Sequence, residues 1–315
     1  MANSAFTVQG GVLRRNGKPF PIRGVNWNPV PRGKTQAGID FVRAAKKDIP
    51  LMAAAGINAV RTYQALSDAG VLDQLYAAGI FLFTTVYTYG PDHPSVVTAK
   101  VAAVQDHPAI AAYVLGNEWN LNRLYTDQLG SMAKLSVKEA RDKLNEAAEL
   151  VHAADRTRPV ASIWSDSRDD LGDTVKAMRR VDLWGVNAYR GDSFQGLFDE
   201  YRAVLPDHVP LFIGEFGVDA YHERSPQQGL LKQADATALL AGELHDRTAA
   251  SGGDVAGGFL FEWCDEWWKA GPGNEDSHAS GGVGSFNEAW FGLVDIDRNC
   301  RPAYDKIKRL WGGGR

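Results

Sequence analysis

Cysteine, basic excess and long apolar runs are all scarce in this chain, and each scarcity closes off a class of protein. Only two cysteines, Cys264 and Cys300, occur in 315 residues. That is too few for a disulfide scaffold, although the two could pair if the fold brought them together. The 34 Lys and Arg are outnumbered by 38 Asp and Glu, for a formal charge of −4, so no cationic stripe makes nucleic acid an expected partner. No apolar run reaches the roughly 18 residues of a membrane span, and the start "MANSAFTVQGG" lacks a charged segment followed by an apolar one. The expectation is a cytoplasmic chain as given, or a secreted or periplasmic one if a signal was removed. The seven histidines show no HExxH-like spacing, so no metal and no cofactor is expected. There is no GxSxG elbow, and "GPGN" at Gly271 reads as a turn, not a phosphate cradle. No strand-end Lys is present for a Schiff base.

What the chain does have is a succession of apolar, β-branched runs bounded by Gly, Pro and Asp. Strands are expected over 21–27, 56–63, 79–87, 109–118, 158–164, 181–189, 209–217 and 255–263. Most are near-continuous hydrophobic runs, which suits parallel strands covered on both faces. Helical spacing lies between them. Residues 41–55 carry Phe41, Val42, Ala45, Ile49 and Met52 on one face, with a kink expected at Pro50. Ser136 and Glu139 form a capping box before an apolar stripe through Leu144 and Val151. Residues 230–250 and 302–311 supply further helices, the last opening on Pro302. Eight alternations of strand and helix at about 30 residues each predict an α/β fold, a (β/α)8 barrel, as one domain over 1–315. An open doubly wound sheet would need a Gly-rich turn after its first strand, and none occurs. Residues 5–20 read as a hairpin of two short strands with a turn at Asn16-Gly17, placed to plug the barrel bottom. A long Gly-rich and aromatic loop follows the eighth strand.

In such a barrel the site forms at the carboxyl ends of the strands. Arg61, Tyr63, Tyr87, Asn117, Glu118, Trp164, Asn187, Tyr189, Glu215 and Trp263 stand there. The two glutamates, on strands four and seven, are the pair that acetal hydrolysis needs, one to protonate the leaving oxygen and one to attack the sugar carbon. Arg61 and Tyr189 are available to keep Glu215 charged. Trp119, Trp263, Trp267 and Trp268 stand where sugar rings would stack, whereas Trp27, Trp184 and Trp311 read as packing residues. Asp265 and Glu266 form a rival acidic pair, but adjacent positions seldom converge on one bond.

"GNEW" and "GEFG" at the ends of strands four and seven, Arg61 in "NAVRTY", Tyr189 in "VNAY" and Trp263 in "FEW" together resemble the clan A glycoside hydrolases. The stretches "RGVNWNP", "GINAVRTY" and "FEWCDEWWK" lean towards the family 2 catalytic barrels and the fungal-type β-1,3-glucanosyltransferases. The resemblance implies a retaining enzyme with a carbohydrate substrate, Glu118 as acid/base and Glu215 as nucleophile. It also implies that Asn117 binds the sugar 2-hydroxyl, Arg61 and Tyr189 orient Glu215, and Trp263 floors the subsite of the reacting sugar; Tyr87, from its place at a strand end, is a further candidate substrate contact. Two features depart from it: Asn187 stands where many members have His, and strand three offers Tyr87 and Tyr89 but no His. A carbohydrate-binding barrel without turnover is the alternative, and retention of both glutamates argues for the enzyme.

Overall fold

The computed structural model describes residues 5–276 and 287–312. Three short strands come first: β1 (Phe6–Gln9), β2 (Val12–Arg15) and β3 (Lys18–Pro19), in one antiparallel sheet. The expected hairpin is present, with one strand more than expected, because Gly10-Gly11 turns the chain as tightly as Asn16-Gly17 does; all four residues have positive φ.

The next eight strands are β4 (Ile22–Asn26), β5 (Ala59–Thr62), β6 (Phe81–Tyr87), β7 (Ile110–Leu115), β8 (Val160–Ser165), β9 (Leu183–Asn187), β10 (Leu211–Phe216) and β11 (Val255–Leu260). They close in chain order into a parallel barrel, β11 pairing with β4. Nine helices accompany them among the described residues: α1 (Phe41–Ala54), α2 (Ala69–Ala77), α3 (Val96–Ala102), α4 (Trp119–Asn122), α5 (Val137–Ala154), α6 (Leu171–Ala177), α7 (Leu197–Arg202), α8 (Pro226–Asp246) and α9 (Pro302–Trp311). The protein is a (β/α)8 barrel, and the expected strand and helix positions hold.

Strands β6, β7, β10 and β11 are buried at every residue, which is why they read as continuous apolar runs: one face points into the barrel and the other under the helices. Inside the barrel, Phe83, Phe212 and Phe259 pack with Ile163 and small alanines, while Phe6, Leu13 and Phe20 close the amino-terminal end. The capping box of α5 forms as expected, Glu139 N–H donating to Ser136 Oγ (3.2 Å) and Ser136 N–H to Glu139 Oε2 (2.7 Å). Pro50 lies within α1, which runs on to Ala54.

Beyond β11 the chain stays pinned to the barrel. Asp265 accepts two hydrogen bonds from Arg301 (2.8 and 2.6 Å) and one from Gly292 N–H. The rival acidic pair is thus divided, Asp265 being a buried anchor. Cys264 and Cys300 bridge to opposite sides of Val294 and are free thiols, so the fold holds them apart. Among the described residues, no helix is long and apolar enough to cross a membrane.

Candidate active site

The carboxyl ends of β4, β5, β7, β9 and β10 bring one hydrogen-bonded group of side chains together. Its centre is Glu215, on β10, 6% exposed. Arg61 Nη1 donates to Glu215 Oε1 at 3.0 Å, the Tyr63 hydroxyl to the same oxygen at 2.7 Å, and the Tyr189 hydroxyl to Oε2 at 2.9 Å. Three donors on one carboxylate, one of them cationic, fix its plane. Both phenols are pushed well above their ordinary pKa, first by burial and then by the charge of Glu215. They therefore remain donors at any working pH. The Tyr189 ring is 45% exposed, so its hydroxyl sits at the bottom of an otherwise open face.

Arg61 has no exposed surface, and both of its terminal nitrogens are bonded. Its Nη2 donates to Asn117 Oδ1 (2.7 Å), and Nη1 also reaches Asn26 Oδ1 (3.2 Å) and the Gly214 carbonyl (3.0 Å). Asn26 Nδ2 in turn donates to the Gly214 and Leu260 carbonyls (3.1 and 3.3 Å). These bonds offset much of the cost of burying a guanidinium, although its Nε finds no partner among the described residues.

The other carboxylate is placed by a sharp turn. Gly116 has φ +69°, and a Cβ there would come within 2.7 Å of Trp119 Cδ1, so only glycine lets the strand end so abruptly. Two residues on, Glu118 has φ +49°, a left-handed conformation costing a non-glycine residue about 1–3 kcal/mol. Its carbonyl accepts from Leu121 and Asn122 N–H (2.8 and 2.9 Å), starting α4, and its side chain is turned towards Asn187 and Glu215. There, burial and then the charge of Glu215 push the Glu118 carboxyl up to about 7, with Asn187 and Arg61 opposing. Environment thus treats the two carboxyls differently: Glu215 is gripped by three donors, and Glu118 is left to carry a proton near neutrality.

Other expected site residues are distributed differently. Trp119 is fully buried, its Nε1 donating to Ser162 Oγ (2.9 Å) and its ring edge-on to Trp164. Tyr87 is 1% exposed and donates to the Asp92 carbonyl. Trp263 has no exposed surface and packs against Tyr304 of α9. These three are packing residues here, not sugar platforms. β11 ends at Leu260, and the buried Phe261 ring lies 6.1 Å from Tyr189 and 5.4 Å from Phe291. On the loop beyond, Trp267 lies under the Arg32 guanidinium (4.1 Å), and half-buried Trp268 donates to Glu266. Lys269 pairs with Glu266 and Glu288 (2.7 and 3.3 Å) with its ammonium 4.4 Å from the Phe261 ring. Residues 277–286 of that loop lie outside the described residues.

Comparison with known proteins follows the same lines. No family model matches the chain. It is 24% identical over 239 residues to the 1,3-beta-glucanosyltransferase GAS5 of Saccharomyces cerevisiae, covering 67% of this chain and 48% of that protein. It is also 24% identical over 282 residues to the 1,3-beta-glucanosyltransferase gas4 of Schizosaccharomyces pombe, covering 78% and 57%. The chain thus spans about half the length of the curated relatives it matches. Among solved structures, a family 2 beta-galacturonidase from Eisenbergiella tayi superposes with a TM-score of 0.71 at 18% identity, over 98% of this chain and 54% of that one. What the two share is the (β/α)8 barrel fold. The beta-glucuronidase of Faecalibacterium prausnitzii superposes equally well, with a TM-score of 0.72 at 20% identity over 99% and 52%.

Proposed function

We propose that the chain is a retaining β-glycoside hydrolase or transglycosidase acting on a β-linked glucan or related oligosaccharide. The observation that carries this reading is the asymmetry of the two carboxyls. Glu215 is bound by Arg61, Tyr63 and Tyr189, which fix its carboxylate in one orientation, as an attacking group needs. Glu118, with its carboxyl pushed up to about 7, is suited to give up a proton and take one back. The similarity to 1,3-beta-glucanosyltransferases supports a glucan as substrate.

In the first half-reaction, a Glu215 oxygen attacks the anomeric carbon as Glu118 protonates the departing glycosidic oxygen. The C–O bond breaks and a glycosyl ester forms. In the second, Glu118, now a carboxylate, takes a proton from water or from a sugar hydroxyl, whose oxygen displaces Glu215. Water gives hydrolysis, and a sugar gives transfer. Asn117, its amide oxygen fixed by Arg61 and Asn187 (3.1 Å), turns its NH2 towards the substrate. Tyr189 and Phe261 provide the aromatic wall.

The test is to incubate the protein with β-1,3-glucan oligosaccharides and aryl β-glycosides and follow product anomers by NMR. Retained β-products support the reading. Binding without turnover would instead identify a carbohydrate-binding barrel, and inverted products would exclude a glycosyl ester.

A further inference from the structure

The segment between β7 and α5 carries a tyrosine whose placement neither strand ends nor the resemblance anticipates. After α4 the backbone reverses through two consecutive left-handed residues, Arg123 (φ +57°) and Leu124 (φ +69°). The side chain of Asn122 braces this reversal, accepting from Leu124 N–H (2.9 Å) and donating to the Asn117 carbonyl. The chain then folds into a small hairpin closed by Thr126 N–H to the Ser131 carbonyl (2.7 Å) and Ala133 N–H to the Leu124 carbonyl (2.8 Å).

Tyr125 is gripped on its other side as well. Its N–H donates to the Thr88 carbonyl (3.1 Å), and its carbonyl accepts from Gly90 N–H (2.8 Å). The approach is close enough that a Cβ on Gly90 would meet Ala133 Cβ at 2.8 Å. Such a clamp fixes a backbone that a loop would otherwise leave free, and with it the direction of the side chain.

That side chain reaches the catalytic group. Asn117 Nδ2 donates to the Tyr125 hydroxyl at 3.4 Å. The amide cannot turn round, because its oxygen already accepts from Arg61 Nη2 and Asn187 Nδ2. The phenol therefore receives a hydrogen bond while its own proton finds no acceptor among the described residues. Burial, with Glu118 and Glu215 adding to it, pushes this phenol up to about 12, so it keeps its proton. A donor with no acceptor among the described residues, beside two carboxylates and a fixed amide NH2, is matched to a ligand hydroxyl that accepts from the donors and donates to a carboxylate.

We propose that Tyr125 is a substrate-binding residue whose hydroxyl donates to the sugar hydroxyl addressed by Asn117, the one on the carbon next to the reacting centre. This rests on the glycosidase reading above. In a retaining reaction hydrogen bonds to that hydroxyl strengthen as charge develops at the anomeric carbon, so Tyr125 would act on turnover more than on ground-state binding.

The experiment compares wild type with Tyr125→Phe on an aryl β-glucoside and its 2-deoxy analogue, with spontaneous hydrolysis subtracted and melting curves recorded for both proteins. Phenylalanine keeps the ring and removes only the hydroxyl. The expected result is a loss of roughly 10- to 100-fold in kcat/KM on the parent glycoside, the range for a hydrogen bond within a charged network. On the 2-deoxy substrate the loss should be less than about 2-fold, since the partner oxygen is already missing. Equal losses on both substrates, or none on either, would overturn the assignment while leaving the glycosidase reading intact. A wild type that cleaves neither these nor any β-1,3-glucan oligosaccharide would overturn the glycosidase reading and this inference with it.

Discussion

Arg61 and Glu215, 154 positions apart in sequence, meet across the mouth of the barrel at 3.0 Å, with side chains 0% and 9% exposed. This ion pair is bound on both sides, Arg61 by Asn26, Asn117 and a carbonyl, and Glu215 by two phenols. Arg61→Lys keeps the charge and loses the planar fork that spans Glu215 and Asn117. We expect kcat to fall by about 100-fold or more, from a cost of ~3 kcal/mol or above. Arg61→Ala should in addition destabilise the fold by about 3–5 kcal/mol, because Glu215 is left buried without its cation. Steady-state kinetics and urea unfolding check the two effects separately.

The two phenols on Glu215 are expected to act chiefly through the chemistry. Tyr63→Phe and Tyr189→Phe each remove one charge-assisted hydrogen bond, with an expected loss of roughly 10- to 100-fold in kcat. Melting temperatures should change little for Tyr189→Phe, whose ring is already open. If either variant keeps full kcat, that phenol does not orient the carboxylate.

The pH dependence follows from Glu118. A general acid must be protonated, and its carboxyl is pushed up to about 7, so kcat/KM should fall as pH rises above about 7. The charge of Glu215 is one cause of that rise. In Glu215→Gln, the Glu118 carboxyl should therefore titrate at lower pH, visible by NMR of the 13C-labelled side chain. An unchanged or higher titration point would mean that the carboxyls do not sense each other.

The same shift predicts an effect on stability. Because the Glu118 carboxyl binds its proton more tightly folded than unfolded, its contribution is fully present below the ordinary glutamate pKa, about 4.5, and is lost as pH rises through about 7. At pH 8 Glu118→Gln should melt higher than wild type, by on the order of 2 °C or more, while at pH 4 the two should melt alike. A variant less stable than wild type at pH 8 would contradict this.

Away from the site, Asp265 and Arg301 pin the segment after β11 to the start of α9. Asp265→Ala should cost about 3–5 kcal/mol, since it leaves a buried guanidinium without its partner. Thiol titration gives a simpler check on that region: exposed Cys300 should react in the native protein and buried Cys264 only after unfolding.

The barrel was legible in the sequence because parallel strands buried on both faces leave unbroken apolar runs, and the pair Glu118 and Glu215 followed from where those runs end. Two of the expectations that failed were carried past a strand's last residue. Trp263 reads as a strand-end aromatic, but β11 stops at Leu260 and alternation no longer tells which side chain lies beside the site; Phe261 is the one against Tyr189. Trp119 follows Glu118 directly, yet the left-handed turn at Glu118 that starts α4 tucks the indole beneath the surface. Tyr63 was visible at the end of the second strand without a role, since only the closed barrel shows which carboxylate it reaches. Asn26 and Tyr125 carried no signal: the first looks like any polar residue in a short strand, and the second depends on a hairpin that returns to residues 88–90.

The division of labour between the two glutamates can be tested directly by trapping the glycosyl ester. An activated 2-deoxy-2-fluoro β-glucoside or laminaribioside, incubated with the protein and followed by intact mass and peptide mapping, should add one glycosyl unit, located on Glu215, and Glu215→Gln should take up none. A label on Glu118, or none in a protein that turns over the matching substrate, would contradict the assignment of Glu215 as nucleophile.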